Sequence, residues 1–341
     1  MQYKRPDIIF FDNIDKHVAR LKGTPLIVSD ENTHAELGER LEHEITSHTS
    51  LVLQSPKANF AFIDAIKGAA KHADYIIAVG SGTINDLCKY ASYTLGKPYI
   101  VCPTAPSMNG YISANASLVG AGETIKSSHK AHLPAKVFVD MNVIANAPLR
   151  LIQAGIGDSI CVSTAHTDWL FSHLVKQTPY TEEPFVLLQP YQKYLLDTAF
   201  IKRVISRNKD ALQTLMEILF TSGWGMCIAG GSYPASQGEH MIAHTMEMLY
   251  GDALPPKFHG EQIGVTTLTM AEIQEREVDK QPADIRDALS HVMIPSEMIH
   301  DVLEEAGNPT TPEALGWTEE QYRHAIEVAP STRDRYTFLS L

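Results

Sequence analysis

Between residues 25 and 140, short apolar runs alternate with stretches of helical spacing, and this alternation restricts the fold more than any other feature of the chain. Pro25-Leu26-Ile27-Val28-Ser29, Leu51-Val52-Leu53, Tyr75-Ile76-Ile77-Ala78-Val79, Tyr99-Ile100-Val101-Cys102 and Lys136-Val137-Phe138-Val139-Asp140 read as strands. Between the first two, Leu37, Leu41 and Ile45 recur four apart; between the second and third, Phe62, Ile63 and Ile66 share one helix face. Strands separated by helices cannot pair as hairpins, so they predict a parallel sheet with helices on both faces. Past about residue 148 the strand signals fade. Pro148 suits a helix N-terminus, and apolar-periodic stretches follow at 160–175, 191–204, 211–220, 238–249 and 263–273. The expectation is an α/β domain over 1–148 and an all-helical domain over 149–341.

A length of 341 residues also exceeds one ordinary core and fits two domains. The net charge of -12 argues against nucleic acid and against an anionic membrane surface, since both require a basic face. No apolar run has signal-peptide or membrane-spanning length, so a cytoplasmic protein with no membrane partner is expected. Cys88, Cys102, Cys161 and Cys227 are scattered without a C-x-x-C pair, and read as buried free thiols. A homo-oligomer is the usual expectation for such an enzyme-sized chain.

Two groups of residues carry chemistry. In Gly238-Glu239-His240-Met241-Ile242-Ala243-His244 the histidines are four apart and project from one helical face. His259 lies fifteen residues further on, before Gly260-Glu261, and Asp158 sits far upstream in Gly155-Ile156-Gly157-Asp158. One carboxylate and two or three imidazoles suit a divalent catalytic cation with an open position. Each residue also has a plainer reading. A lone histidine is more often a packed side chain, and Asp158 after two glycines could cap a helix. His166 and His173, on the following helix, read as surface or packing residues.

The second group lies at strand ends. Tyr75–Val79 runs into Gly80-Ser81-Gly82-Thr83-Ile84-Asn85-Asp86, and a glycine turn between strand and helix lets backbone N–H groups approach a pyrophosphate. It is not the G-x-G-x-x-G fingerprint, so an ordinary tight turn is as good a reading. Asp30 closes the first strand, where a carboxylate can bond a ribose or cap the next helix. Pro103-Thr104-Ala105-Pro106-Ser107-Met108-Asn109-Gly110-Tyr111-Ile112-Ser113 is a hydroxyl-rich loop at another strand end, where open parallel sheets bind ligands.

Taken in order, Gly80-Ser81-Gly82-Thr83…Asp86, Pro103-Thr104…Ser107…Gly110…Ser113, Gly155-Ile156-Gly157-Asp158…Asp168-Trp169, Glu239-His240…His244 and His259-Gly260-Glu261 resemble the iron-containing alcohol dehydrogenase superfamily. The glycerol-1-phosphate dehydrogenase branch is most similar, and the ending Arg333-Asp334-Arg335-Tyr336-Thr337-Phe338-Leu339 also looks like that branch. The resemblance implies a Rossmann-like N-terminal domain, a helical C-terminal domain, NAD (or NADP) and one divalent metal ion: Zn, Fe or Ni. Asp158, His240 and His259 match its metal ligands, and His244 matches a histidine that contacts substrate. Gly80, Ser81, Gly82, Thr83, Asp86, Thr104, Ser107 and Ser113 match cofactor-binding positions, with Asp30 as the adenosine-ribose acid. Asn109 departs from the pattern: the family has an acid there, near nicotinamide and substrate. The implied reaction interconverts a secondary alcohol and a ketone, foremost sn-glycerol 1-phosphate and dihydroxyacetone phosphate. Rival readings are a dehydrogenase of another polyol, such as glycerol, and a dehydroquinate-synthase-like lyase, which leaves no net change in NADH.

Overall fold

A computed structural model describes residues 3–120 and 126–341. The chain forms two compact units, Met1–Pro148 with Arg207–Met216, and Leu149–Ser206 with Glu217–Leu341.

The first unit is built on strands β1 (Asp7–Phe11), β2 (Pro25–Asp30), β3 (Thr49–Leu53), β4 (Tyr75–Val79), β5 (Tyr99–Cys102) and β8 (Lys136–Asp140). They form one sheet in the order β1-β8-β5-β4-β2-β3, every pair parallel. The interior strands have near-continuous apolar runs because helices cover both faces: Leu26, Ile27, Val28 and all of Tyr75–Val79 are buried. The chain leaves β2 toward β3 on one side, then returns to place β4 on the other, so the topological switch point lies between β2 and β4. That is where open α/β sheets leave a crevice beyond the strands' carboxyl ends. Register pairs Val28 with Ala78, which brings Asp30 and Gly80 to the same edge.

Three strands were not anticipated. β1 is a short strand, Asp7 followed by four apolar residues, at the sheet edge and paired only with β8. β6 (Asn115–Val119) and β7 (Lys126–Lys130) form a separate antiparallel pair. Arg207–Met216 lies within the stretch read as helical second half but packs with the first unit. Arg207 Nη1 donates to the carbonyls of Ala145 (2.5 Å) and Ala147 (2.8 Å), and Lys209 Nζ to Asn142 Oδ1 (2.7 Å).

In the second unit no strand occurs among the described residues. The helices that matter for the site are α2 (Leu149–Ile160), α3 (Val162–Lys176), α4 (Gly238–Tyr250) and α5 (His259–Val278); α1 (Gly82–Leu95) belongs to the first unit. Helices at Ala283–Ser290, Ser296–Ala306 and Glu319–Val328 follow the last periodic stretch read from sequence and lie within the span expected to be helical. Phe171, Met241, Met246, Met270, Trp317 and Phe338 fill one core. No helix is long and apolar enough to cross a membrane among the described residues. All four cysteines are buried and none is in a disulfide, and burial holds the thiols of Cys88, Cys102 and Cys161 above their ordinary range.

His166 is a packing histidine, as one of its readings held. Its ring stacks on Phe185 with centroids 3.6 Å apart, and its Nε2 is 2.9 Å from Tyr180 Oη. Burial pulls it down from 6.5 to about 4. The folded protein keeps this imidazole neutral where the unfolded chain protonates it, so the unfolded state binds more protons between those values. Stability is therefore full above pH 6.5 and falls as pH drops toward 4, by about 3 kcal/mol from this residue. Denaturant titrations across that window should show a shallower acid loss for His166→Phe; identical pH slopes for variant and wild type would refute the assignment.

Candidate functional site

In the first unit, β4 ends in Gly80 and helix α1 begins at Gly82. Ser81, at the N-cap, makes no side-chain cap bond, so the amides that open α1 are not satisfied by that side chain. A Cβ at Gly80 would stand 2.8 Å from Ile84 Cβ, which is why the turn needs glycine. Asp30 does cap the next helix: its Oδ1 accepts from the N–H groups of Asn32 (2.9 Å) and Thr33 (2.8 Å). Both bonds use one oxygen, and the plainer reading and the ribose reading are therefore compatible.

Asp86, one turn into α1, is tied to three neighbours. Its Oδ2 accepts from Ser117 N–H (3.0 Å), and its Oδ1 from Asn85 Nδ2 (3.2 Å) and Lys89 Nζ (3.3 Å). Lys89 is the residue that sequence reasoning missed here. Wholly buried, its ammonium donates to the carbonyls of Gly110 (2.6 Å) and Asn115 (2.9 Å) and to Ser113 Oγ (3.3 Å). It thereby folds the 103–115 loop back onto α1. Thr104, Ser107 and Ser113 are buried in that loop, while Asn109 and Gly110 are half-buried. The only sequence signal for Lys89 was its i,i+3 spacing from Asp86.

In the second unit Asp158 is not an N-cap. It lies inside α2, in its last turn, and is 1% exposed. Gly157, beside it, and Gly260, beside His259, face each other where α2 and α5 cross. A Cβ on Gly157 would come 2.1 Å from Gly260 O, and one on Gly260 would come 1.7 Å from Ala154 O. The two backbones touch there, and this contact brings the upstream aspartate to the downstream histidine. Asp158 Oδ1 is 3.8 Å from His259 Nε2, and His259 Nε2 is 3.3 Å from His240 Nε2. The start of α5 is pinned by Glu261, which accepts Phe258 N–H (2.9 Å) and forms a two-pronged bridge with Arg150 (2.8 Å for each bond).

Glu239 is a second missed residue. Fully buried, it accepts from His240 Nδ1 (2.9 Å), Gln237 N–H (2.6 Å) and Thr164 Oγ1 (3.2 Å). Burial alone would raise its carboxyl, but the bond and charge of His240 foremost, and then the Gln237 N–H, hold it below its ordinary value. Because a carboxylate only accepts, His240 carries its proton on Nδ1 and turns the Nε2 lone pair toward Asp158 and His259.

One ligand atom from each of Asp158, His240 and His259 lies within 4.8 Å of the other two. These donors fit a divalent cation chemically, as one anionic oxygen and two imidazole nitrogens. They also fit in spacing, because nitrogens about 2.0–2.1 Å from a tetrahedral ion stand about 3.3–3.4 Å apart. Cys161, Glu239 and His240 are also close together. The Cys161 thiol, however, stays protonated and donates to the carbonyl of Asp158 (3.0 Å). His244 stands beside the ligand set, its ring centroid 5.7 Å from that of His240 and 5.8 Å from that of His259. Its Nδ1 accepts from Arg333 Nη2 (2.5 Å), so the ring proton resides on Nε2.

A parallel sheet with a glycine turn at its switch point, in a chain whose helical unit gathers these donors, defines a class of dehydrogenase. Solved structures share the fold: a glycerol dehydrogenase of Schizosaccharomyces pombe (TM-score 0.73, 18% identity, 99% of this chain and 85% of that one), and an NADH-dependent butanol dehydrogenase of Thermotoga maritima (TM-score 0.71, 12% identity, 100% and 92%). The sequence pattern of iron-containing alcohol dehydrogenase matches residues 12–148. The chain is also similar to glycerol-1-phosphate dehydrogenases (NAD(P)+) of Bacillus velezensis, at 31% identity over 93% of this chain and 84% of that one, and of Pyrococcus furiosus, at 33% over 88% and 79%. The chain belongs to the iron-containing alcohol dehydrogenase family, in its glycerol-1-phosphate dehydrogenase branch, and is an oxidoreductase.

Proposed function

We propose that the protein interconverts sn-glycerol 1-phosphate and dihydroxyacetone phosphate with NAD(H), and less readily with NADP(H). The observation that carries this is the convergence of Asp158, His240 and His259 on one point. Bound there, a divalent cation supplies the Lewis acidity that alcohol–ketone interconversion requires, and the nicotinamide accepts or supplies the hydride. Asp158 contributes the one anionic donor, from a buried position that excludes water. Glu239 holds the His240 proton on Nδ1 and so keeps Nε2 available as a donor atom. His244 presents Nε2–H, which orients the substrate oxygen or relays a proton to solvent. In the first unit, the amides of Gly82 and Thr83 at the start of α1 receive the pyrophosphate. Asp30 Oδ2 takes the adenosine ribose and repels a 2′-phosphate. Thr104, Ser107, Asn109 and Ser113 line the nicotinamide side of the cofactor, with the loop held in place by Lys89.

Protein reconstituted with Zn, Fe or Ni should consume NADH when given dihydroxyacetone phosphate, and do so far faster than with dihydroxyacetone. No NADH consumption with either ketone under any of the three metals would overturn the reading. Conversion of another substrate with no net NADH change would favour the lyase instead.

A further inference from the structure

Two guanidinium groups in the C-terminal segment, one of them bonded to His244, have no counter-charge of their own. Arg333 donates from Nη1 to Ser236 Oγ (3.1 Å) and from Nη2 to His244 Nδ1 (2.5 Å). Arg335 donates from Nη2 to Ser232 Oγ (2.8 Å) and sits over the Tyr233 ring, its Cζ 4.6 Å from the centroid. Its Nη1 is buried and has no hydrogen-bond partner. Among the described residues neither arginine has a carboxylate within ion-pair distance, whereas Arg40, Arg150 and Arg276 each do. Glu239, whose charge is felt by both, has its oxygens committed to His240, Gln237 and Thr164. Burial, and then the neighbouring charge of Arg333, pulls Arg335 down to about 10.

Two like charges held half out of water, one with an idle buried N–H group, are costly unless an anion joins them. Nor is this a loose tail settling by chance. Phe338 N–H donates to Asp168 Oδ1 (3.2 Å), and the Phe338 ring stacks on Phe171 at 4.1 Å. The same Asp168 accepts Gly238 N–H (3.1 Å) at the head of α4, so one buried carboxylate registers the arginine segment against the metal-site helix.

We propose that Arg333 and Arg335, with the hydroxyls of Ser232 and Ser236, form the seat for the phosphomonoester of the substrate. The inference rests on the polyol-phosphate reading above and names the residues that make it a phosphate enzyme. Arginine forks match phosphate oxygens in geometry as well as charge. The placement agrees with the chemistry: the seat is one imidazole ring away from the ligand set, through His244. In glycerol 1-phosphate only a methylene and an ester oxygen separate the reacting carbon from phosphorus.

The test uses the metal-reconstituted full chain, wild type beside Arg335→Gln and Arg335→Lys. Arg335 is chosen because it does not touch His244. The ratio of kcat/KM for dihydroxyacetone phosphate over dihydroxyacetone should fall by about 10- to 100-fold in Arg335→Gln, mostly through KM, and by less in Arg335→Lys. Inorganic phosphate should raise the wild-type Tm and inhibit competitively, and both effects should be lost in Arg335→Gln. A merely structural arginine would lower activity on both ketones alike and leave the ratio and the phosphate effect untouched; that outcome overturns the proposal. If wild type ignores dihydroxyacetone phosphate but still binds inorganic phosphate in an Arg335-dependent way, the seat stands and the substrate reading fails. Should Arg335→Gln fail to fold, Arg335→Lys decides: an unchanged ratio together with an unchanged phosphate shift refutes the seat.

Discussion

His259→Ala is expected to lower kcat/KM for ketone reduction by about three orders of magnitude or more, with the fold intact. Removing this residue leaves Asp158 and His240 as the only two members of the donor set, too few to hold a divalent ion against water. The Lewis acidity that is lost is worth several kcal/mol of transition-state stabilisation, on the order of a thousandfold in rate. The fold should survive because the His259 side chain is 35% exposed and opens a helix whose start is anchored separately by Glu261 and Arg150. Two readouts do not depend on turnover. Metal content after dialysis should drop well below one ion per chain, and the rise in Tm that wild type shows on adding Zn, Fe or Ni should disappear, since a ligand stabilises only the state that binds it. A metal-free His259→Ala protein with wild-type turnover would sink the whole assignment.

The parts of this molecule that could be read from sequence are those whose signal is local. β2, β4, β5 and β8 are continuous apolar runs closed by Asp, Gly or Pro, and interior parallel strands have that character because both faces are covered. β1, at the edge, and the Lys126-Ser127-Ser128-His129-Lys130 strand lack a distinguishing period, so they went unseen. For the metal site, spacing alone favoured His240 with His244, four apart on one face. In space the donor atoms close on His240 and His259, and His244 turns its Nδ1 to Arg333 instead. It was the family resemblance, not the helical period, that singled out Asp158, His240 and His259. Interactions spanning the chain left no local trace at all. Arg333 reaches His244 across 89 positions, Asp168 reaches Phe338 across 170, and Arg150 reaches Glu261 across 111. Glu239 was quoted beside His240 without a role, because what makes it important is burial, which one sequence does not display.

Gly260→Ala should be among the most damaging single-methyl changes available in this chain. The added Cβ would sit 1.7 Å from Ala154 O and 2.5 Å from Ala154 C, both backbone atoms that no rotamer change can move. Helices α2 and α5 must then separate along a crossing whose other side is Gly157 against Gly260 O. Overpacking at ordinary core sites costs about 1–3 kcal/mol. A clash of backbone with backbone belongs at or above the top of that range, about 3 kcal/mol, or a Tm lower by about 6–12 °C. The loss should not stop at stability. Asp158 follows Gly157 and His259 precedes Gly260, so any separation at the crossing pulls an oxygen donor away from a nitrogen donor. Metal affinity should fall by at least about tenfold, as when groups that orient metal ligands are removed. Gly68→Ala provides the contrast. Gly68 lies in the helix Phe60–Ala69, and a Cβ there meets nothing within 4 Å. The same substitution should therefore be neutral or stabilising by up to about 1 kcal/mol, as glycine is a poor helix former. Thermal melts and metal titrations of the two variants side by side decide the matter. If Gly260→Ala melts with wild type and binds metal as tightly, the close crossing of α2 and α5 is not what assembles the site.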